Sequence, residues 1–105
     1  MKVILLRLSG DQAEAHDALR SLYPDALIEE IPRREVEEGS HARRLARLRE
    51  RRPNLFAVAT EQLAWQRGQN HLLLFGALAG AERTLIFDKY GALREETRAR
   101  ILTNA

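Results

Sequence analysis

Four short segments of the chain are rich in β-branched and large apolar residues and are bounded by turn residues, which is typical of strands. The segment at 55–59 is apolar at every position, as strands buried on both faces of a parallel sheet are. Ser9, Gly10 and Asp11 close the first run, and Pro32 ends the second because proline cannot donate to a sheet ladder. The predicted strands are residues 3–8, 26–31, 55–59 and 84–87.

Between these strands, apolar residues recur at helical spacing. Asp11 precedes the first helical segment, where an N-cap belongs, Pro53 ends the second, and Gly80 provides a C-cap for the third. The last segment has the charge pattern of a helix without a clear apolar face. The predicted helices are residues 12–22, 41–52, 71–79 and 92–102, and the predicted loops are residues 33–40 and 60–70, the second with a helical turn at 63–65.

The alternation of strands and helices predicts one α/β domain over residues 1–105. We expect a three-layer, Rossmann-like or flavodoxin-like domain, with a parallel sheet of about four strands and helices on both faces. The expected strand order is third, second, first, fourth, or a close variant, with the first strand near the centre. The residues expected to meet in the core are Leu5, Leu19, Ile28, Leu45, Val58, Leu74 and Ile86.

Composition excludes several classes of protein. The chain has 17 Lys and Arg against 15 Asp and Glu, a net charge of +2, and 45% apolar residues, which is ordinary for a globular domain. It contains no cysteine, which excludes disulfides and cysteine-bound metals. No segment approaches the roughly 20 apolar residues of a membrane span, and no cleavage site follows the short apolar run at the start. We therefore expect a cytoplasmic protein without a transmembrane segment.

Polar residues that follow the predicted strands form the candidate site, because ligands of open α/β sheets bind outside the carboxyl ends of the strands. Asp11 has two interpretations there. It could act as a general base on a substrate hydroxyl, or it could cap the first helix, and capping is the more frequent role of aspartate at such a position. The candidate residues are Ser9, Gly10, Asp11, Thr60, Glu61 and Lys89.

Signatures of phosphate and metal binding are absent. Only Gly10 of a dinucleotide-binding G-x-G-x-x-G pattern is present, and there is no P-loop. Asp11 stands alone where a phosphorelay receiver would carry paired acids. His16, His41 and His71 lack the spacing of metal ligands. We therefore predict no metal and no cofactor.

The helix predicted at 41–52 contains six arginines. Arginines on one helix could neutralise nucleic-acid phosphates. However, no aromatic residue interleaves them for base stacking, and an acidic run at 35–38 lies just upstream. A solvated outer face is the favoured interpretation, and strong nucleic-acid binding is not expected.

Trp65 is unusual in a polar loop. It either covers a ligand or is buried over the edge of the sheet. Burial is the expected role, since tryptophan carries a large apolar surface.

Several motifs occur in the order and approximate spacing of a known family. The chain opens with RLSGD at residues 7–11 and continues with ALRSLYPDA at 18–26. Later, LAGAER at 78–83 precedes IFD at 86–88. Together these motifs resemble the heptosyltransferase-like glycosyltransferases, glycosyltransferase family 9, over most of the chain.

The resemblance implies the N-terminal, acceptor-side domain of a two-domain transferase that is inactive on its own. A nucleotide-sugar donor would bind mainly to the second domain, and a carbohydrate acceptor would bind here. Asp11 would be the base that activates the acceptor hydroxyl, with the other candidate residues binding substrate. Two other classes remain open. One is a self-contained, flavodoxin-like binding or interaction module without catalysis, and the other is an arginine-rich accessory domain for nucleic acid.

Overall fold

The computed structural model describes residues 1–104, and its elements alternate much as the sequence predicts. The four predicted strands, the first three helices and the turn at 63–65 are confirmed with small shifts at their ends. The strands are β1 (Lys2–Arg7), β2 (Leu27–Ile31), β3 (Leu55–Thr60), β4 (Arg83–Asp88) and β5 (Leu93–Thr97). The helices are α1 (Gln12–Leu22), α2 (Arg34–Glu37), α3 (His41–Glu50), α4 (Gln69–Leu78) and α5 (Arg98–Thr103), and a 3₁₀ turn spans Leu63–Trp65. The short helix α2 lies in a segment predicted to be a loop.

The strands form one mixed sheet in the order β2-β1-β3-β4-β5, with β1 to β4 parallel and β5 antiparallel. The expected order is wrong, because β1 pairs with both β2 and β3. Strand β2 carries Glu29 and Glu30, whose side chains point to opposite faces and stay 39% and 22% exposed. An edge position allows this exposure, whereas the fully buried β3 takes the centre.

Helices cover both faces of the sheet, and each face has its own apolar core. On one face, α1 contributes Ala15 and Leu19. On the other face, Leu48 of α3 and Leu73 of α4 pack with Phe56 of β3. Because successive strand residues point to opposite faces, the central strands supply both cores at once.

The orientation of α4 differs from the expectation that Leu74 lies in the core. Leu73 is buried instead, and Leu74 lines a cavity of about 310 Å³ between α4, β5 and α5. Gly76 explains how closely the helix approaches the sheet, because an added Cβ would lie 2.9 Å from Phe56 Cδ2 and closer still to Thr84 Oγ1. Of the other residues expected in the core, Leu5, Leu19, Val58 and Ile86 are buried, and Ile28 and Leu45 are half-buried against it.

The C-terminal segment differs from the single helix predicted at 92–102. Residues 93–97 form β5, and only Arg98–Thr103 are helical. Gly91 has a φ of +85°, which glycine adopts readily, and it turns the chain back along β4. Arg94, Glu95 and Glu96 fill the middle of β5, and charged residues of this kind suit an edge strand.

The longest helix among the described residues is α1, with 11 residues. Consequently no helix within residues 1–104 has the length and apolar character needed to cross a bilayer.

Candidate functional site at the carboxyl edge of the sheet

The path of the chain reverses between β1 and β3. From β1 it crosses to β2 through α1 on one face, and from β3 it crosses to β4 through α4 on the other face. Neighbouring strands whose connections leave in opposite directions open a crevice at their carboxyl ends, where ligands of doubly wound sheets bind. The site predicted from sequence therefore lies at the topological switch point.

A cleft of about 460 Å³ lies at this point, walled by α1 and by the loops that follow β1, β3 and β4. Of the six candidate residues, Glu61 alone does not line it and lies beside a neighbouring groove. The five that the cleft brings together are Ser9, Gly10, Asp11, Thr60 and Lys89. Their roles in binding or catalysis stay predictions.

Asp11 caps α1, which confirms the capping interpretation. Its Oδ2 accepts a hydrogen bond from the Glu14 N–H at 3.0 Å, and its backbone is extended, as N-cap residues are. The Asp11 side chain is exposed at the wall of the cleft. Within residues 1–104, Oδ2 is the oxygen of this carboxylate that accepts a hydrogen bond. Capping thus leaves the carboxylate open to a ligand.

Arg7 holds the loop after β1 in place. Arg7 Nη1 donates to the Gly10 carbonyl at 2.7 Å, and the same guanidinium contacts Glu30 of β2. Gly10 itself has a φ of +93°, a left-handed conformation that favours glycine. These contacts fix the backbone that carries Asp11.

A chain of polar contacts joins the loops after β1, β3 and β4. Ser9 Oγ accepts the Glu61 N–H at 2.7 Å, and Glu61 Oε1 lies 3.6 Å from Lys89 Nζ. Lys89 also lies over the Tyr90 ring, 5.2 Å from its centroid. Tyr90 first, and then the Glu61 carboxylate, raise the pKa of Lys89. Lys89 and Glu61 thus form an exposed ion pair, which weakens the attraction of Lys89 for an anionic ligand.

Asp88 organises the same edge and was missed as a site residue. Its buried carboxylate accepts backbone N–H groups of Leu63, Tyr90 and Ala92 at 2.8, 2.9 and 3.0 Å. Burial acts to raise the pKa of Asp88, but the three N–H donors outweigh it and lower the pKa. An aspartate at the end of a strand and just before a Tyr-Gly turn is the sequence feature that could have indicated this role.

A second groove of about 350 Å³ adjoins the cleft and shares Thr60 and Tyr90 with it. Trp65 lines this groove and is 78% exposed, so the expectation of burial is wrong. The 3₁₀ turn directs Leu63 towards the core and thereby leaves Trp65 outside. Tyr90 is 68% exposed on the same groove.

Comparisons with protein families, with curated proteins and with solved structures find no match to this chain. The resemblance to the glycosyltransferases stays a prediction.

Negative charge predominates in the cleft. The N-cap residue Asp11, Glu14 and Asp17 of α1, and Asp88 of β4 line the cleft, and Lys89 opposes them. Within residues 1–104 no group of histidine and acidic side chains is arranged to hold a metal ion. The cleft therefore suits hydroxyl or amine donors better than phosphates.

The arginines of α3 and of its C-cap residue, Arg51, are largely occupied within the molecule. Arg47 Nη1 donates to the carbonyl at the end of α2, Glu38 O, at 2.7 Å, and Arg51 pairs with Glu29 and Glu35. Arg44 and Arg49 likewise donate to backbone carbonyls. These contacts join α3 to its neighbours, and they reduce the number of cations that could reach a nucleic acid.

Proposed function

We propose that this chain is the Rossmann-like, acceptor-side domain of a cytoplasmic glycosyltransferase that uses a nucleotide-sugar donor. The observation that carries the proposal is the exposed carboxylate of Asp11 at the wall of the switch-point cleft. The order of motifs that resembles the heptosyltransferases supports it. A second domain would bind most of the donor, and this domain alone would be inactive.

The charge of the cleft supports an acceptor role over a donor role. A nucleotide sugar carries a diphosphate, which the carboxylates of Asp11, Glu14 and Asp17 would repel. A neutral acceptor offers hydroxyl groups, and carboxylates accept hydrogen bonds from these readily.

In the proposed reaction, Asp11 accepts the proton of the acceptor hydroxyl as its oxygen attacks the anomeric carbon of the donor. The new glycosidic C–O bond forms on the opposite face from the bond that breaks, and the nucleoside diphosphate leaves with that electron pair. General-base assistance of this kind contributes about 10²–10⁴-fold to a rate. The Arg7 contact to Gly10 would keep the base in position.

The test uses the product of the complete reading frame and measures sugar transfer. Asp11→Asn keeps the capping oxygen, so the melting temperature should barely move while the rate falls by about 10²–10⁴-fold. Asp25→Asn, at an exposed turn away from the cleft, is the matched control and should keep full activity. An unchanged rate for Asp11→Asn would overturn the catalytic assignment. A reading frame without a second domain would favour the alternative.

That alternative is a self-contained, flavodoxin-like binding module without catalysis. The exposed Trp65 and Tyr90 favour it, because large aromatic side chains at the rim of a groove are typical of binding surfaces.

A further inference from the structure

We infer that Trp65 and Tyr90 form an aromatic platform, defined as the faces of these two side chains, that binds the ring of a neutral saccharide beside the switch-point cleft. The inference rests on the proposed function, because it names the ligand class of the same carboxyl edge. It also holds for the alternative without catalysis.

The two aromatic side chains are exposed, and hydrogen bonds hold the backbone segments that carry them. Asp88 accepts the Leu63 N–H through Oδ2 and the Tyr90 N–H through Oδ1, so one buried carboxylate joins the two segments that carry the aromatic residues. The side chain of Gln69 donates to the Leu63 carbonyl at 2.9 Å and fixes the 3₁₀ turn from its other side. The backbone that carries both aromatic residues is therefore held in place before a ligand binds, which lowers the cost of ordering it on binding.

The polar lining of the groove matches a ring of hydroxyls. Glu61 and Gln62 line the groove beside the two aromatic residues and offer a carboxylate and an amide, whereas the Gln66 amide is already hydrogen-bonded to the Thr60 hydroxyl and the Arg67 carbonyl. A saccharide ring presents an apolar C–H face with hydroxyls around its perimeter. The aromatic side chains would cover the apolar face, and the Glu61 carboxylate and the Gln62 amide would bind the hydroxyls.

Charge distinguishes a saccharide from the other flat ligands that stack on aromatic side chains. A nucleotide could stack on Trp65, as nucleic-acid bases do. Its phosphate would lie near Glu61 and near Asp11, Glu14 and Asp17 of the adjoining cleft, and these carboxylates outnumber the neighbouring cation Lys89. The groove therefore selects a neutral ligand over an anionic one.

Fluorescence reports directly on this platform because Trp65 is the single tryptophan of the chain. The 105-residue chain is titrated with neutral hexasaccharides of glucose, mannose or N-acetylglucosamine, and with uridine monophosphate as the anionic probe. We expect a saturable change in Trp65 emission with at least one hexasaccharide and none with the nucleotide. Two-dimensional NMR locates the contacts and serves the variants that lack the tryptophan.

Trp65→Ala and Tyr90→Ala should each weaken binding at least tenfold while the fold is kept. Leu27→Ala is the matched control, since Leu27 is an equally exposed apolar residue on the distant strand β2, and it should bind as the unaltered chain does. No saccharide binding, tighter binding of uridine monophosphate, or NMR shifts at Asp11 that survive both aromatic variants would overturn the inference. Loss of sugar transfer in Asp11→Asn is measured separately. The proposed transferase activity can therefore be overturned while saccharide binding by the platform is confirmed, and saccharide binding can be overturned while the activity is confirmed.

Discussion

Thr84 illustrates how a single buried hydroxyl weakens a well-packed sheet. It is fully buried on β4, and its Oγ1 has no hydrogen-bond partner within residues 1–104. A buried polar group without a partner costs about 1–3 kcal/mol of desolvation. Thr84→Val has nearly the same shape and removes the hydroxyl, so we expect the free energy of unfolding to rise by about 1 kcal/mol. Urea denaturation measures it, and a clear loss of stability would show that a bound water satisfies the hydroxyl.

Gly76 packs against Thr84, and here an added side-chain atom is expected to lower the stability. In an ordinary helix, Gly→Ala gains about 1 kcal/mol. Here the new methyl group would overlap Thr84 and the Phe56 ring, and overpacking of this kind costs about 1–3 kcal/mol. We expect Gly76→Ala to lower the free energy of unfolding by about 1 kcal/mol, as the balance of the two.

The reason can be checked with a double-mutant cycle. In a Thr84→Ala background the nearest obstructing atom, Thr84 Oγ1, is gone and Phe56 Cδ2 remains, so Gly76→Ala should cost less there. Equal costs in both backgrounds would contradict the packing explanation.

At the scale of elements, Asp88 connects the end of β4 with the 3₁₀ turn and the β4–β5 turn. Asp88→Asn replaces the oxygen that accepts the Leu63 N–H with an amide that cannot accept it. We expect a loss of about 1–3 kcal/mol, measured by thermal or urea unfolding. Asp25→Asn serves as the control.

The lowered pKa of Asp88 gives this prediction a pH dependence. A carboxyl group whose pKa is lower in the folded state stabilises the fold at pH values above its ordinary pKa of about 3.9. This stabilisation is lost as the pH falls through the folded-state pKa. The unaltered protein should therefore lose stability below about pH 5, and Asp88→Asn should show a flatter curve there. Parallel curves would contradict the role assigned to this carboxylate.

How far the sequence predicts these elements depends on whether a local pattern or a distant contact decides them. The apolar run of β3 and the Asp11 cap are local, and both are confirmed. Strand order is not a local property, because it depends on which strand can lie at an edge of the sheet. Glu29 and Glu30 indicate that β2 is an edge strand, and the predicted order does not take them into account. The same holds for Trp65, whose exposure follows from the inward direction of Leu63, and for Asp88, whose three donors come from two separate loops.

For the whole molecule, the occupied arginines predict weak association with nucleic acid. Arg43 and Arg52 are the exposed arginines of the α3 segment whose side chains make no hydrogen bond or ion pair within residues 1–104. We expect duplex DNA to bind without sequence preference, with a Kd no tighter than about 10⁻⁶ M at physiological salt, in a fluorescence anisotropy titration. Submicromolar binding that Arg43→Ala and Arg52→Ala abolish would contradict this and favour the nucleic-acid alternative.

The charged residues on the two edge strands oppose aggregation of the protein at high concentration. A strand at the rim of a sheet exposes unpaired backbone groups that invite another chain to add itself, and charged side chains oppose such growth. Strand β2 carries Glu29 and Glu30, and β5 carries Arg94, Glu95 and Glu96. Resistance to intermolecular sheet formation therefore rests on two short stretches that contribute little to the core, and replacing their charges would open a route to fibrous aggregates in a protein that still folds.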